Sequence, residues 1–386
     1  MNAITTDAAL EALLARGCEP LDTPILQPAE PFLDLAGEEL RARVLLTDDG
    51  AGHLMCLRPE FTIPAARAYL AEGRAGAVRY ACAGTVFRIR ERGVEFPQGG
   101  IEAVGEADAP AADARAVADA LAAIRALGHA GPVRVVMGDQ AIFEAVTAAL
   151  GLPATWAHRL SRLFGDEHGL AAALDALTCG GKATAMPAET GLGAPHALPD
   201  DVREALEAGD AGRLAARIDA AIGDARMRLG ARRGTEIAER LLEARALAGT
   251  RLGAEAGGAL RAFLALECPA DEVVERVGAL GLGGERGALP AALDRHAARS
   301  AALEAAGIAA GEVRFRGAFG RSLDYYTGLT FEIRAAGGGQ GGDADRPDDL
   351  LAGGGRYDRL MSLLGAPDPV PAIGFALWLD RIGGRR

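Results

Sequence analysis

Met55-Cys-Leu-Arg-Pro-Glu-Phe-Thr62, Val86-Phe-Arg-Ile-Arg90 and Gln98-Gly-Gly-Ile-Glu102 decide how this chain is read. In each stretch a short apolar run is broken by Arg, Glu, Gln or Thr where a strand would begin or end. A half-buried strand hides its apolar positions and shows the others. The others here carry both signs of charge, close together in sequence. That is how a chain builds a pocket for a small zwitterion.

Working outward, Asp7 to Arg16 reads as a short amphipathic helix stopped by Gly17, and Pro20 to Pro28 as an extended segment, because residues before proline avoid helical angles. Residues 41–57 read as a hairpin turning at Asp49-Gly50. A helix is expected over Pro64–Leu70, a strand over Val78–Arg90, and a turn over Glu91–Pro97. Ala111–Leu127 has one apolar face and reads as a helix, followed by a strand at Val133–Met137 and a helix over Gln140–Leu150. From about Pro153 to Ala309 the chain is rich in Ala, Leu, Arg and Glu and reads as successive helices. Strands return at Val313–Arg316 and Phe331–Arg334, with period-2 alternation that fits an antiparallel sheet covered on one face. Arg356–Leu364 reads as a helix, Ala372–Phe375 as a strand and Leu377–Ile382 as a last helix. The expected domains are a core formed by 1–184 and 296–386 and a helical insertion at 185–295.

The chain has 386 residues and a net charge of -12. That sign argues against a nucleic-acid partner, since phosphate binding rests on Lys and Arg. Only Lys182 among the 41 basic residues is a lysine, and Gly180-Gly-Lys-Ala lacks the Ser or Thr that a P-loop requires. The five cysteines are widely spaced, with no C-x-x-C pair for metal or redox work, and fit free thiols in a reducing cytoplasm. No apolar run is long enough to span a bilayer, and the N-terminus does not read as a signal peptide. No metal and no cofactor are expected. Nucleophilic-hydrolase and zinc-protease motifs are absent, and the six histidines are scattered.

Six stretches, lying in one order along the chain, carry a family resemblance. Leu57-Arg-Pro-Glu60 with Thr62, the Phe87-Arg88 pair and Gln98-x-x-x-Glu102 resemble the histidine-binding region of histidyl-tRNA synthetases. Arg321-Ser-Leu-Asp-Tyr-Tyr326 and Ala352-Gly-Gly-Gly-Arg-Tyr-Asp358 resemble the family's histidine-specific motif and the strand after it. Pro371 to Arg381 resembles motif 3 of class II synthetases, and Pro24 loosely marks motif 1, which in that family forms a homodimer interface. The resemblance implies an α+β fold: a class II aminoacyl-tRNA synthetase-like antiparallel sheet flanked by helices, with a helical insertion.

It also implies roles. Glu60, Thr62 and Gln98 would hold the ammonium of histidine, and Arg321 its carboxylate. Glu102 would accept from one ring nitrogen and Tyr326 would donate to the other, with Tyr325 and Tyr357 lining the pocket. Arg88 belongs to this set and, with Arg381, to a vestigial nucleotide site. Charge-assisted bonds contribute about 1.5–3 kcal/mol each, so three or four are compatible with micromolar affinity.

The departures are equally informative. The family's motif 2 reads Phe-Arg-x-Glu, and this chain has Phe87-Arg-Ile-Arg90. A cation stands where a carboxylate would help hold ATP and its metal, and Glu91 is one residue out of register. The following loop is also short, and the resemblance is confined to the catalytic-type core, with no anticodon-reading domain expected. Histidine recognition looks kept while ATP and tRNA recognition look eroded. This combination resembles the ATP phosphoribosyltransferase regulatory subunits. The resemblance implies no catalytic residues, a short-form catalytic phosphoribosyltransferase as partner, and a homodimer within a hetero-oligomer. It further implies feedback by histidine on the first step of histidine biosynthesis, with closure of the Gly-rich loops at 91–100 and 337–345. The rival reading is a histidine-activating enzyme.

Overall fold

The computed structural model describes residues 4–35, 40–90, 93–179, 200–222, 234–235, 237–239, 241–242, 251–282, 287–321, 325–336 and 349–382. The described chain falls into two compact units. The first contains Met1–Ala149, Ser161–Glu167 and Ala262–Arg386; the second contains Leu150–Leu160 and His168–Arg261.

The first unit is built on a nine-stranded sheet. Its strands are β1 (Glu19–Pro20), β5 (Val78–Phe87), β6 (Glu95–Val104), β7 (Val133–Asp139), β8 (Glu267–Pro269), β9 (Arg314–Arg316), β10 (Leu329–Ala335), β11 (Leu350–Arg356) and β12 (Ala372–Trp378). They lie side by side in the order β1-β5-β6-β12-β11-β10-β7-β9-β8. The central pairings from β5 to β7 are antiparallel, and parallel pairs occur only at β1–β5 and β7–β9. A smaller sheet pairs β4 (Leu54–Leu57) with β2 (Leu26–Pro28) and β3 (Leu46–Asp48). The β3–β4 hairpin turns where Asp49-Gly50 predicted. Asp48 and Asp49 accept from the backbone amides of Gly50 and Ala51, both at 2.8 Å, and Gly50 takes a left-handed φ of 78°.

Helix α1 (Thr6–Leu14) starts at Thr5, whose hydroxyl accepts from the Ala8 amide, and buries Ala9 and Leu13 against β5 and β6. Helix α2 (Thr62–Glu72) leads away from the site, and α3 (Ala109–Ala126) lies on the sheet with Asp108 as its cap. Helices α4 (Gln140–Ala149) and α5 (Ala288–Ala305) join α3, and α6 (Asp358–Leu363) and α7 (Leu379–Ile382) close the C-terminal end.

A buried ionic network ties these layers together. Arg299 of α5 bonds Asp113 of α3 at 2.8 Å and Asp139, at the end of β7, at 2.7 Å. Arg356, the last residue of β11, bonds the other oxygen of Asp113 at 2.6 Å and Asp358 at 3.0 Å. Each carboxylate in it is paired with a guanidinium fork, the arrangement that makes buried charge tolerable.

Several expected elements shift. The Glu91–Pro97 turn is shorter than expected, because β6 begins at Glu95 and runs through the Gly-rich 98–100. The expected helix at Arg356 begins at Asp358, since Arg356 still pairs with Ile373 in the sheet. Residues 91–92, with Glu91, and 337–348, with the expected 337–345 loop, lie outside the described residues, as does Lys182.

Among its described residues the second unit is helical, with a small core of Val202, Ala205, Leu214, Ile218, Ile237 and Leu241. Its limits differ from the expected 185–295 insertion. Residues 262–282 and 287–295 fold with the large sheet: β8 pairs with β9, and His296 Nε2 lies 2.8 Å from the Ala270 carbonyl oxygen. Composition alone identifies a helix-rich run but not the layer on which each helix packs.

Candidate functional site

A cavity of about 360 Å³ opens within the sheet unit. Its walls come from β6, β10, β11 and β12, from the residues before α2, and from Arg381 in α7. Eight of the nine residues expected to contact the amino acid line it: Glu60, Thr62, Arg88, Gln98, Arg321, Tyr325, Tyr326 and Tyr357. Arg381 lines it too.

Gln98 and Glu102 lie four residues apart on β6, so both side chains leave the same face of the sheet. Gln98 is buried, and its side-chain carbonyl has no hydrogen-bond partner among the described residues. A buried acceptor left unpaired costs about 1–3 kcal/mol, so this atom is poised for a donor entering the cavity.

Glu102 departs from expectation. It does not line the cavity but sits behind its wall, 3 % exposed. Its two oxygens accept from the Tyr357 hydroxyl at 2.6 Å and the Thr62 hydroxyl at 2.7 Å. Burial pushes its carboxyl up to about 8, against the pull of these two hydroxyls, and Glu60 adds to the rise. The neighbouring strand makes room for it: a Cβ on Gly374, its partner on β12, would overlap the Glu102 carboxylate. Sequence spacing gave the face of Glu102; which hydroxyls intervene depends on the approach of α2 and β11.

Glu60 stands just before α2. Its carboxylate accepts from the amides of Thr62 and Ile63, the latter at 3.0 Å, satisfying donors that the first helical turn leaves open. Burial raises its carboxyl; the amide bonds and Arg88 pull it back. The three tyrosines form one cluster, with ring centroids 5.3 Å apart for Tyr325–Tyr326 and 6.2 Å for Tyr325–Tyr357. They belong to the core that also contains Ile63, Tyr80, Phe96 and Trp378, so the cavity floor is as tightly fixed as the core itself.

The cationic side is larger than expected. Arg321 lies 3.4 Å from Glu332 and faces Trp378, while Glu332 also accepts from Arg334 at 2.6 Å. A Cβ on Gly353 would overlap the Arg321 guanidinium, which would have to shift to admit it. Arg88 lies over Phe96, and burial, with repulsion from Arg321 and Arg90, lowers it to about 10. Arg381 lies over Trp378 and donates to the Leu350 carbonyl at 3.3 Å. Sequence reading missed Arg43 and Glu332, which carry no motif. It gave no role to Trp378, although that residue lies in the Pro371–Arg381 stretch, and gave Arg90 no place in the site although its sign was noted. Arg58 of the first quoted stretch is not a cavity residue. It ties the segment to the Thr85 carbonyl at 3.0 Å and to Thr23, and stacks on Phe61.

The site offers paired acceptors, hydroxyl donors and cations around an aromatic floor. Among the described residues no cluster of three metal-ligating side chains occurs, and no helix is long and apolar enough to cross a membrane.

This fold and site define a class II synthetase-like protein. The histidyl-tRNA synthetase family model matches residues 3–226 and 191–382. A crystal structure titled an ATP phosphoribosyltransferase regulatory subunit/histidyl-tRNA synthetase, from Bacillus halodurans, superposes with a TM-score of 0.62 at 20% identity, covering 97% of this chain and 76% of that one. A histidine–tRNA ligase subunit from Alicyclobacillus acidocaldarius gives 0.53 at 25% identity, over 98% and 90%. Curated relatives are more similar in sequence. An ATP phosphoribosyltransferase regulatory subunit from Allorhizobium ampelinum is 45% identical over 97% of this chain and 95% of its own length. One of the same name from Brucella canis is 42% identical over 96% and 94%. The chain belongs to the family of ATP phosphoribosyltransferase regulatory subunits.

Proposed function

We propose that this chain binds L-histidine in the cavity between β6 and β11 and regulates a short-form catalytic ATP phosphoribosyltransferase, catalysing nothing alone. The carrying observation is the joint one: eight residues expected around histidine line a single small cavity, while Arg90 stands where a metal-holding carboxylate would serve ATP. Glu60 and the open Gln98 carbonyl are acceptors for the ammonium, and Arg321 is a cation for the carboxylate. Tyr326, Tyr357 and Thr62 supply hydroxyls near the ring, with Glu102 polarising the last two. An amino acid lacking ring nitrogens leaves those polar groups unmatched, which is how such a site discriminates.

Histidine regulates the partner only if it binds one arrangement of the complex more tightly, a coupling of about 1–3 kcal/mol. The working assembly is a homodimer of this chain within a hetero-oligomer in the cytoplasm. Ile25, Leu26, Leu46 and Leu54 are exposed on and beside the small sheet next to the motif 1 region, and support that pairing.

The test is co-purification with the short phosphoribosyltransferase, followed by activity with and without this chain and with and without histidine. Activation by the chain and inhibition by histidine are expected; a partner indifferent to both sinks the reading. Histidine-dependent exchange of pyrophosphate into ATP by the chain alone would instead establish the histidine-activating enzyme.

A further inference from the structure

Arg58 is 5 % exposed and stands two residues before Glu60, yet it does not line the cavity. Among the described residues the hydrogen-bond partners of its side chain are all neutral. Nε donates to the Thr85 carbonyl at 3.0 Å, and one terminal nitrogen donates to the Thr23 carbonyl and, at 3.1 Å, to the Thr23 hydroxyl. The guanidinium lies over the Phe61 ring, 4.7 Å from its centroid. A buried guanidinium with no carboxylate beside it is costly, and an apolar side chain of similar volume is often at least as stabilising. Stability alone therefore does not account for an arginine here.

What the guanidinium does is fix the path of the chain. The Arg58 amide donates to the Ile25 carbonyl at 2.7 Å, and its carbonyl accepts from the Phe87 amide at 3.0 Å. With the side-chain bonds, these clamp residue 58 between residues 23–25 and the end of β5. Pro59 has its φ fixed by its ring, and Phe61 lies under the guanidinium, so Glu60 between them has little freedom. The clamp needs space on β5. A Cβ on Gly84 would lie 2.5 Å from a terminal nitrogen of Arg58. The hydrogen bonds of Glu60 run only to amides of its own segment, Thr62 and Ile63, among the described residues. Where its carboxylate stands in the cavity therefore depends on where that segment is held.

We propose that Arg58 is a positioning residue for recognition of the ligand's ammonium: by clamping residues 58–62 it sets where Glu60 stands in the cavity. The inference rests on the histidine reading of the cavity and adds a group outside the walls that tunes one of its contacts. A charge-assisted bond weakens steeply as its geometry is lost, so a small drift of the segment is enough to spoil it.

Two ligands separate positioning from packing: L-histidine, and imidazolepropionate, which lacks the ammonium. Each is titrated calorimetrically into the full chain, and the native chain should prefer histidine. Arg58→Met keeps bulk over Phe61 and loses the donors; the preference should fall at least about ten-fold, the loss of one charge-assisted bond. Arg58→Lys should fall between, since charge is kept but the planar fork is lost. Gly84→Ala crowds the guanidinium without removing it and should lower the preference in the same direction. Circular dichroism checks that each variant folds; if Arg58→Met does not, Gly84→Ala decides. A general loosening of the fold weakens both ligands alike and leaves the preference standing. An unchanged preference in the folded variants therefore overturns this inference while histidine binding persists. A native chain that binds the two ligands equally overturns it too, because Glu60 then contributes no ammonium contact. A native chain that binds neither refutes the histidine reading itself, and this inference with it.

Discussion

Replacing Glu102 by glutamine removes one titrating proton while keeping the side chain's shape. In the native protein both carboxylate oxygens accept hydroxyl protons, from Tyr357 and Thr62. Glutamine can keep both contacts, with its carbonyl accepting from one hydroxyl and its amide donating to the other. What changes is that glutamine has no proton to lose. Burial pushes the Glu102 carboxyl from its ordinary 4.5 up to about 8 in the folded chain. Between those values the unfolded chain has lost the proton and the folded chain keeps it. Stability from this group is therefore complete below about pH 4.5 and is lost as pH rises to about 8. At 1.36 kcal/mol per unit, the loss is at most about 5 kcal/mol. Urea unfolding of the sheet unit, followed through Trp378 in a Trp156→Phe background, should show the native protein weakening from pH 5 to 8.5 more steeply than Glu102→Gln by a few kcal/mol. The same substitution turns one hydroxyl from donor towards Glu102 into acceptor, altering the groups a histidine ring would meet. A hydroxyl mispaired in this way costs about 1–3 kcal/mol, which corresponds to about 10- to 100-fold weaker histidine binding. Parallel pH curves would refute the raised carboxyl, and undiminished histidine affinity would refute its place in recognition.

Gln98→Leu removes the unpartnered buried carbonyl, so the free protein should gain roughly 1 kcal/mol by urea unfolding while histidine affinity falls, by calorimetry, about ten-fold. Both outcomes are needed; a variant less stable and equally avid would show that the carbonyl has another partner. Arg299→Ala leaves Asp113 and Asp139 buried with one cation fewer, and should destabilise the sheet unit by about 3–5 kcal/mol. A loss below 1 kcal/mol would mean that water reaches the network.

Much of this protein was legible in its residues because its signals are local. The period-2 runs at Val313 and Phe331 gave strands of the large sheet, Asp49-Gly50 gave a turn, and the Ala111–Leu127 stripe gave the helix that lies on the sheet. The spacing of Gln98 and Glu102 fixed their common face, since strand side chains alternate whatever the fold. The sign at Arg90 was visible as well.

Contacts across long stretches of chain were not legible. Arg356 meets Asp113 across 243 positions and Arg299 meets it across 186, and no local pattern announces either partner. The same holds for Arg43 entering the cavity, for Glu102 standing behind Tyr357 rather than open to it, and for residues 262–282 and 287–295 joining the large sheet. The sequence by itself determined which side chains could recognise a small zwitterion, because chemistry and strand period belong to the residues. Only the tertiary structure decided which atoms remain unpaired when those side chains meet, because hydrogen-bond satisfaction is settled by neighbours in space.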